Sequence, residues 1–93
     1  MIVGVLRVEL SLPGSHSLKD KRRLLRSLLD RLHNEFNVSA AEVGHQDNWR
    51  QAEVGVSCVS GESAHANAVL SRVLDVVERE TEIVVTGVEL EMR

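Results

Sequence analysis

At 93 residues, with 43% hydrophobic and 27% charged positions and a formal net charge of −3, the chain has the profile of one small folded domain, not of a disordered or fibrous segment. Its opening apolar run, Met1 to Leu6, is closed by Arg7 and Glu9. That is too short for a membrane span and lacks the basic start and cleavage site of a secretory signal. The single Cys58 excludes an internal disulfide framework and fits a reducing, cytoplasmic setting.

Met1–Leu10 alternates, with Ile2, Gly4, Leu6, Val8 and Leu10 on one side, and reads as a strand. Ser11–Ser17, with Pro13 and Gly14, reads as a loop. Leu18–Glu35 is a helix with Ser17 as N-cap and Asp20 completing a capping box. Asn37–Val43 is a short strand, Gly44–Gln51 a polar loop, and Ala52–Ser60 a valine-rich strand. A second helix over Ser63–Glu80 places Ala66, Val69, Leu70, Val73, Leu74 and Val77 at helical spacing. Glu82–Met92 is the last strand, with Gly87 as a bulge position.

This strand–helix–strand pattern, met twice, predicts an α+β fold. It is a ferredoxin-like βαββαβ domain over residues 1–93: a four-stranded antiparallel sheet with both helices on one face and right-handed crossovers. The topology brings three pieces to one end: the loop Ser11–Ser17, the N-terminus of the first helix, and the loop Gly44–Gln51. His33 and His65 belong at the opposite end.

The charge is unevenly spread. Residues 1–32 hold seven basic and three acidic residues, a net of +4, whereas residues 33–93 hold four basic and eleven acidic, a net of −7. Such a chain repels polyanions over most of its surface and can attract them at one place. On the first helix Leu18, Leu25, Leu28, Leu29, Leu32 and Phe36 share the core side, while Lys19, Arg22, Arg23 and Arg26, at i, i+3, i+4 and i+7, share an outer one. Lys21 lies nearer the apolar side, where its stem packs and its amine snorkels to solvent. Like charges at this spacing cost roughly 0.2–0.5 kcal/mol per pair. Cations in the first turn oppose the helix dipole by about 0.3–1 kcal/mol each. The bland reading is a solvated helix face. The functional one is an anion site added to a helix start that already presents free N–H groups.

The loop GHQDNWRQ carries His45, Asp47, Trp49 and Arg50 to the same end as His16. His45 and Asp47 can pair, either to orient the imidazole or to organise the loop. Trp49 beside Arg50 can stack a base or plug the end of the sheet. His16, His45 and Asp47 meeting on a metal would need a convergence for which the spacing alone is a weak signal. Hydrolysis would need a nucleophile, and Ser17 is better explained as a cap, with Ser15 its neighbour. Cys58, mid-strand among valines, reads as a buried small hydrophobe. No phosphate loop or dinucleotide fingerprint is present, so no cofactor and no catalytic residue is expected.

Four stretches carry a family resemblance: GVLRVEL at Gly4–Leu10, SHSLKDKRRLLRSL at Ser15–Leu28, FNVSAAEVGHQDNW at Phe36–Trp49 and SCVS at Ser57–Ser60. In these the chain resembles the YlxP-like family of small bacterial proteins over essentially its whole length. The resemblance implies a ferredoxin-like fold and a bacterial cytosolic protein. It implies no established activity and no set of functional residues. The family's genes tend to lie among translation and ribosome-maturation genes, which suggests RNA or the ribosome by association.

With only Phe36 and Trp49 as aromatics, and none in the first or third strand, the sheet is unsuited to the stacking of an RNA-recognition motif. Its open face carries Val3, Val5, Arg7 and Glu9 instead, which suits a second copy of the chain. The expectation is therefore a non-enzymatic RNA- or ribosome-associated protein. It would use Lys19, Arg22, Arg23 and Arg26 for phosphates, with His16, His45, Asp47, Trp49 and Arg50 shaping the adjoining surface. The alternative is a self-associating module that docks an acidic partner, with a small hydrolase or metal enzyme a minor third reading.

Overall fold

A computed structural model describes all 93 residues. The elements run β1 (Ile2–Ser11), α1 (Leu18–Glu35), β2 (Ser39–Gly44), β3 (Gln51–Ser60), α2 (Ser63–Glu78) and β4 (Val84–Met92). The strands form one sheet in the order β2-β3-β1-β4, with every neighbouring pair antiparallel. This is the expected ferredoxin-like βαββαβ arrangement.

Alternation in β1 decides the layering. Leu6, Val8 and Leu10 are buried on the face that Ala52, Val54, Val56 and Cys58 share from β3. Leu25, Leu28 and Leu32 of α1 and Ala66, Leu70, Val73 and Val77 of α2 close over them as one core. Each buried leucine or valine contributes about 1.5–3 kcal/mol by leaving water. Val76, absent from the helical spacing expected of α2, is buried as well. Cys58 sits in this core with its thiol toward the Ala66 carbonyl at 3.8 Å. Gly4 lies where α2 crosses β1: a side-chain carbon there would stand 2.8 Å from Leu70 Cδ1 and 3.3 Å from Ala66 Cβ.

The helix starts as its sequence demands. Ser17 is extended, and its Oγ accepts from Asp20 N at 3.0 Å. The reciprocal bond is shifted by one residue, because Asp20 Oδ2 accepts from His16 N at 3.0 Å and not from the cap itself.

Several boundaries differ from expectation. β1 runs on to Ser11 because Ser11 still pairs with Gln51 and Val84. β2 begins at Ser39, where pairing with Ser57 starts, while Phe36 and Val38 pack against the core. α2 ends at Glu78, and Ile83, next to β4, is buried below the strand. The bulge near Gly87 is present: Glu9 pairs with Gly87 but Leu10 with Val85, leaving Thr86 as the extra residue.

Truncating a leucine at the helix–sheet interface leaves a cavity that the packed layers cannot fill. Leu28→Ala and Leu70→Ala, both at fully buried positions, are each expected to lower the unfolding free energy in urea by about 2–5 kcal/mol with an unchanged native circular-dichroism spectrum.

Candidate functional site

The three pieces expected at one end do meet, and a buried charge joins them. Lys21 is 1% exposed. Its stem does not snorkel outward as the sequence suggested. The amine turns inward and donates to the carbonyls of His45 at 2.6 Å and Asn48 at 2.7 Å. Glu42 Oε2 lies 2.7 Å from the same nitrogen. That carboxylate oxygen is buried and accepts no aligned hydrogen bond, so the ammonium charge is what compensates it. Burial of a lysine becomes tolerable only through such a set of partners. The physical reason is the loop: carbonyls at the β2–β3 turn point toward α1 and need a donor.

The remaining bonds complete the junction. Asn48 N donates to the His45 carbonyl at 3.0 Å, and Leu12 N to the Arg50 carbonyl at 2.8 Å. Arg50 Nε reaches the Ser15 carbonyl at 3.4 Å, and Asn48 Oδ1 accepts from Arg50 N at 2.9 Å. Ser15 is fully buried, and its hydroxyl donates to the Ser17 carbonyl at 3.1 Å. Neither serine hydroxyl is bonded to a histidine.

His45 is the one non-glycine residue with positive φ, at 59°. This left-handed turn swings its ring away from the loop and over the open sheet face, where Nε2 stands 3.1 Å from Glu9 Oε2. The pairing expected with Asp47 is not formed. The carboxylates grouped with His45 are those of Glu9 and Glu53, all three ligand atoms lying within 4.8 Å of one another. The convergence of His16, His45 and Asp47 on a metal is thereby corrected: His16 is exposed, and its backbone is held by Asp20. Trp49 is 49% exposed and lines an open depression with His45, Gln46, Asp47 and Asn48, so it does not plug the sheet.

Lys19, Arg22, Arg23 and Arg26 are exposed on the outer side of α1 and ring a shallow hollow, with Asp20, Ser27 and Asp30 at its borders. None of the four makes an ion pair. By contrast Arg7, Lys21, Arg31 and Arg93 are each within 3.2 Å of a carboxylate. Hydrogen bonds donated by Arg31 to Glu35 and Glu80 raise the Arg31 pKa, and Arg93 holds Glu91 below the ordinary carboxylate range. The ion pairs of this protein thus bypass the stripe, as they do Arg50, Arg72 and Arg79.

A family model described as "Protein of unknown function (DUF503)" matches residues 3–90. The chain belongs to this family. It is similar to "Uncharacterized protein YlxP" of Bacillus subtilis (strain 168), 35% identical over 82 residues that span 88% of this chain and 89% of that protein. The YlxP-like resemblance is thus borne out. Among solved structures, a de novo designed protein with ferredoxin fold, determined in solution by NMR, superposes with a TM-score of 0.59 at 10% identity, covering 98% of this chain and 86% of that one. This likeness concerns the fold alone. No helix is long and apolar enough to cross a membrane.

What sequence reasoning missed in this family member is the Lys21 anchor. A signal existed: Lys21 falls on the leucine side of α1, where an amine without partners would be costly. The partners are main-chain carbonyls, however, and no side-chain pattern announces those. Removing the amine leaves the buried Glu42 oxygen without compensation and takes one donor from each of the His45 and Asn48 carbonyls. Lys21→Met keeps the stem and is expected to lower stability by about 3 kcal/mol. Faster amide exchange across residues 44–50 should accompany it; unchanged exchange there would show that Lys21 does not hold the loop.

Proposed function

We propose that the protein is a non-enzymatic RNA- or ribosome-associated binding protein that takes backbone phosphates on the outer face of α1. The observation that carries the reading is the unpaired stripe Lys19–Arg22–Arg23–Arg26. Four cations share one side of the first half of a helix, with Lys19 in the first turn where the dipole disfavours it, in a chain with 14 acidic residues, none of which forms an ion pair with them. Arginine forks suit phosphate oxygens, and the helix start adds its own attraction for anions. The loop beside the N-terminus of α1 contributes a half-exposed Trp49, which offers a stacking surface for an unpaired base. Asp47 lines the same depression, Arg50 follows Trp49 in the chain, and His16 lies just before the start of α1. The His45 ring is turned toward Glu9, so it is left out of the proposed phosphate contact.

Binding of a labelled structured RNA and of purified ribosomal subunits, titrated with salt, tests this. Four phosphate contacts give a slope of log K against log salt of about −3. Arg22→Glu/Arg23→Glu should abolish saturable binding without unfolding the protein. Absence of binding by the folded wild type at low salt would overturn the reading.

A second reading, self-association through the open sheet face, is supported by the exposure of Val59 at 67% and Val43 at 52%. These lie in a field with Val3, Val5, Ala41 and Gly55. It predicts a concentration-dependent dimer in sedimentation that Val59→Asp dissociates; a wild type that stays monomeric at high concentration would sink it.

A further inference from the structure

On the open face, Glu9 of β1 stands directly opposite Glu53 of β3. Two like charges directly opposite each other across a strand pair are destabilising. Glu89 adds a third carboxylate nearby, and Arg7 is the cation between them, at 3.0 Å from Glu53 Oε2 and 3.2 Å from Glu89 Oε2. Arg7 engages one oxygen of Glu53 and forms no ion pair with Glu9, so the pair keeps an excess of negative charge and free lone pairs.

Over this pair the β2–β3 loop delivers His45. Its ring nitrogen is 3.1 Å from Glu9 Oε2, and one ligand atom from each of Glu9, His45 and Glu53 lies within 4.8 Å of the other two. Three separate segments thus bring two carboxylates and one imidazole together. Each is held from behind. The His45 carbonyl is pinned by Lys21 at 2.6 Å, and Glu9 and Glu53 stand on the two central strands of the sheet. Gly44 leaves the space that the Glu53 carboxylate fills: a side-chain carbon at residue 44 would collide with Glu53 Oε1.

We propose that Glu9, His45 and Glu53 form a binding site for a divalent transition-metal cation of the zinc or manganese class. One imidazole with two carboxylates is a donor set for such ions. A cation there would offset the opposed charges of Glu9 and Glu53 and replace the single His45–Glu9 contact by three ligand bonds. The ligand atoms need to draw in slightly around the ion, which the exposed ends of Glu9 and His45 permit. The site opens to solvent on the face away from the helices, so its remaining coordination positions are left to water. This inference does not rest on the RNA reading, since the sheet face and the stripe on α1 are different surfaces.

The test is calorimetric titration of the folded protein, free of RNA, with zinc and separately with manganese. One equivalent is expected to bind. His45→Ala and Glu53→Gln should each weaken it by about tenfold or more, whereas Glu91→Gln, an acid on the same face bonded to Arg93, should leave it unchanged. With manganese, paramagnetic broadening should centre on residues 9, 45 and 53 in NMR spectra. Absence of a saturable one-to-one phase, or affinity retained in His45→Ala, would overturn the proposal. Circular dichroism of each variant separates loss of the site from loss of the fold.

Discussion

The buried ammonium of Lys21 is the contact on which the arrangement of the functional end depends. It stands where helix α1, strand β2 and the β2–β3 loop come together, and each contributes something the others need. The helix brings a charge that cannot be left without partners. The strand brings Glu42, whose buried oxygen has no other source of compensation. The loop brings two carbonyls aimed inward. Charges and carbonyls of this kind are each unfavourable in a core alone and tolerable together. The junction therefore fixes one loop conformation instead of merely adding stability.

Two surfaces follow from that fixed loop. Trp49 is half-exposed in the loop whose Asn48 carbonyl accepts from Lys21 of α1. On the sheet side, the left-handed turn at His45 carries an imidazole over Glu9 and Glu53.

The ion pairs bypass the stripe on α1. Arg7 is placed between Glu53 and Glu89, and Arg31 between Glu35 and Glu80. Of the acids near the stripe, Asp20 is taken by the backbone of His16, and Asp30 lines the same hollow without pairing. The ladder across β3, β1 and β4 sets charges and valines side by side on the open face: Glu9 stands opposite Glu53 and Val3 opposite Val59, while Glu91 of β4 faces Val5. Cross-strand neighbours, not strand composition, draw that pattern.

Periodicity in the chain alone was enough for the order of elements, the two helical faces, the cap at Ser17 and the fold class. These depend on residues close in sequence, and local spacing reports local geometry directly. The basic stripe was equally plain, because i, i+3, i+4 and i+7 are neighbours on any helix. Three things could not be read that way. Lys21 was expected to reach solvent because its partners are backbone carbonyls 24 and 27 residues on, and carbonyls have no sequence signature. His45 was matched with Asp47 because they are adjacent in the loop, yet a single positive φ turned the ring toward Glu9, 36 residues earlier. Glu9 and Glu53 became neighbours only through strand register. Local pattern determines which residues share a face of an element; pairing register and one backbone dihedral determine which faces meet, and those are set by the folded chain as a whole.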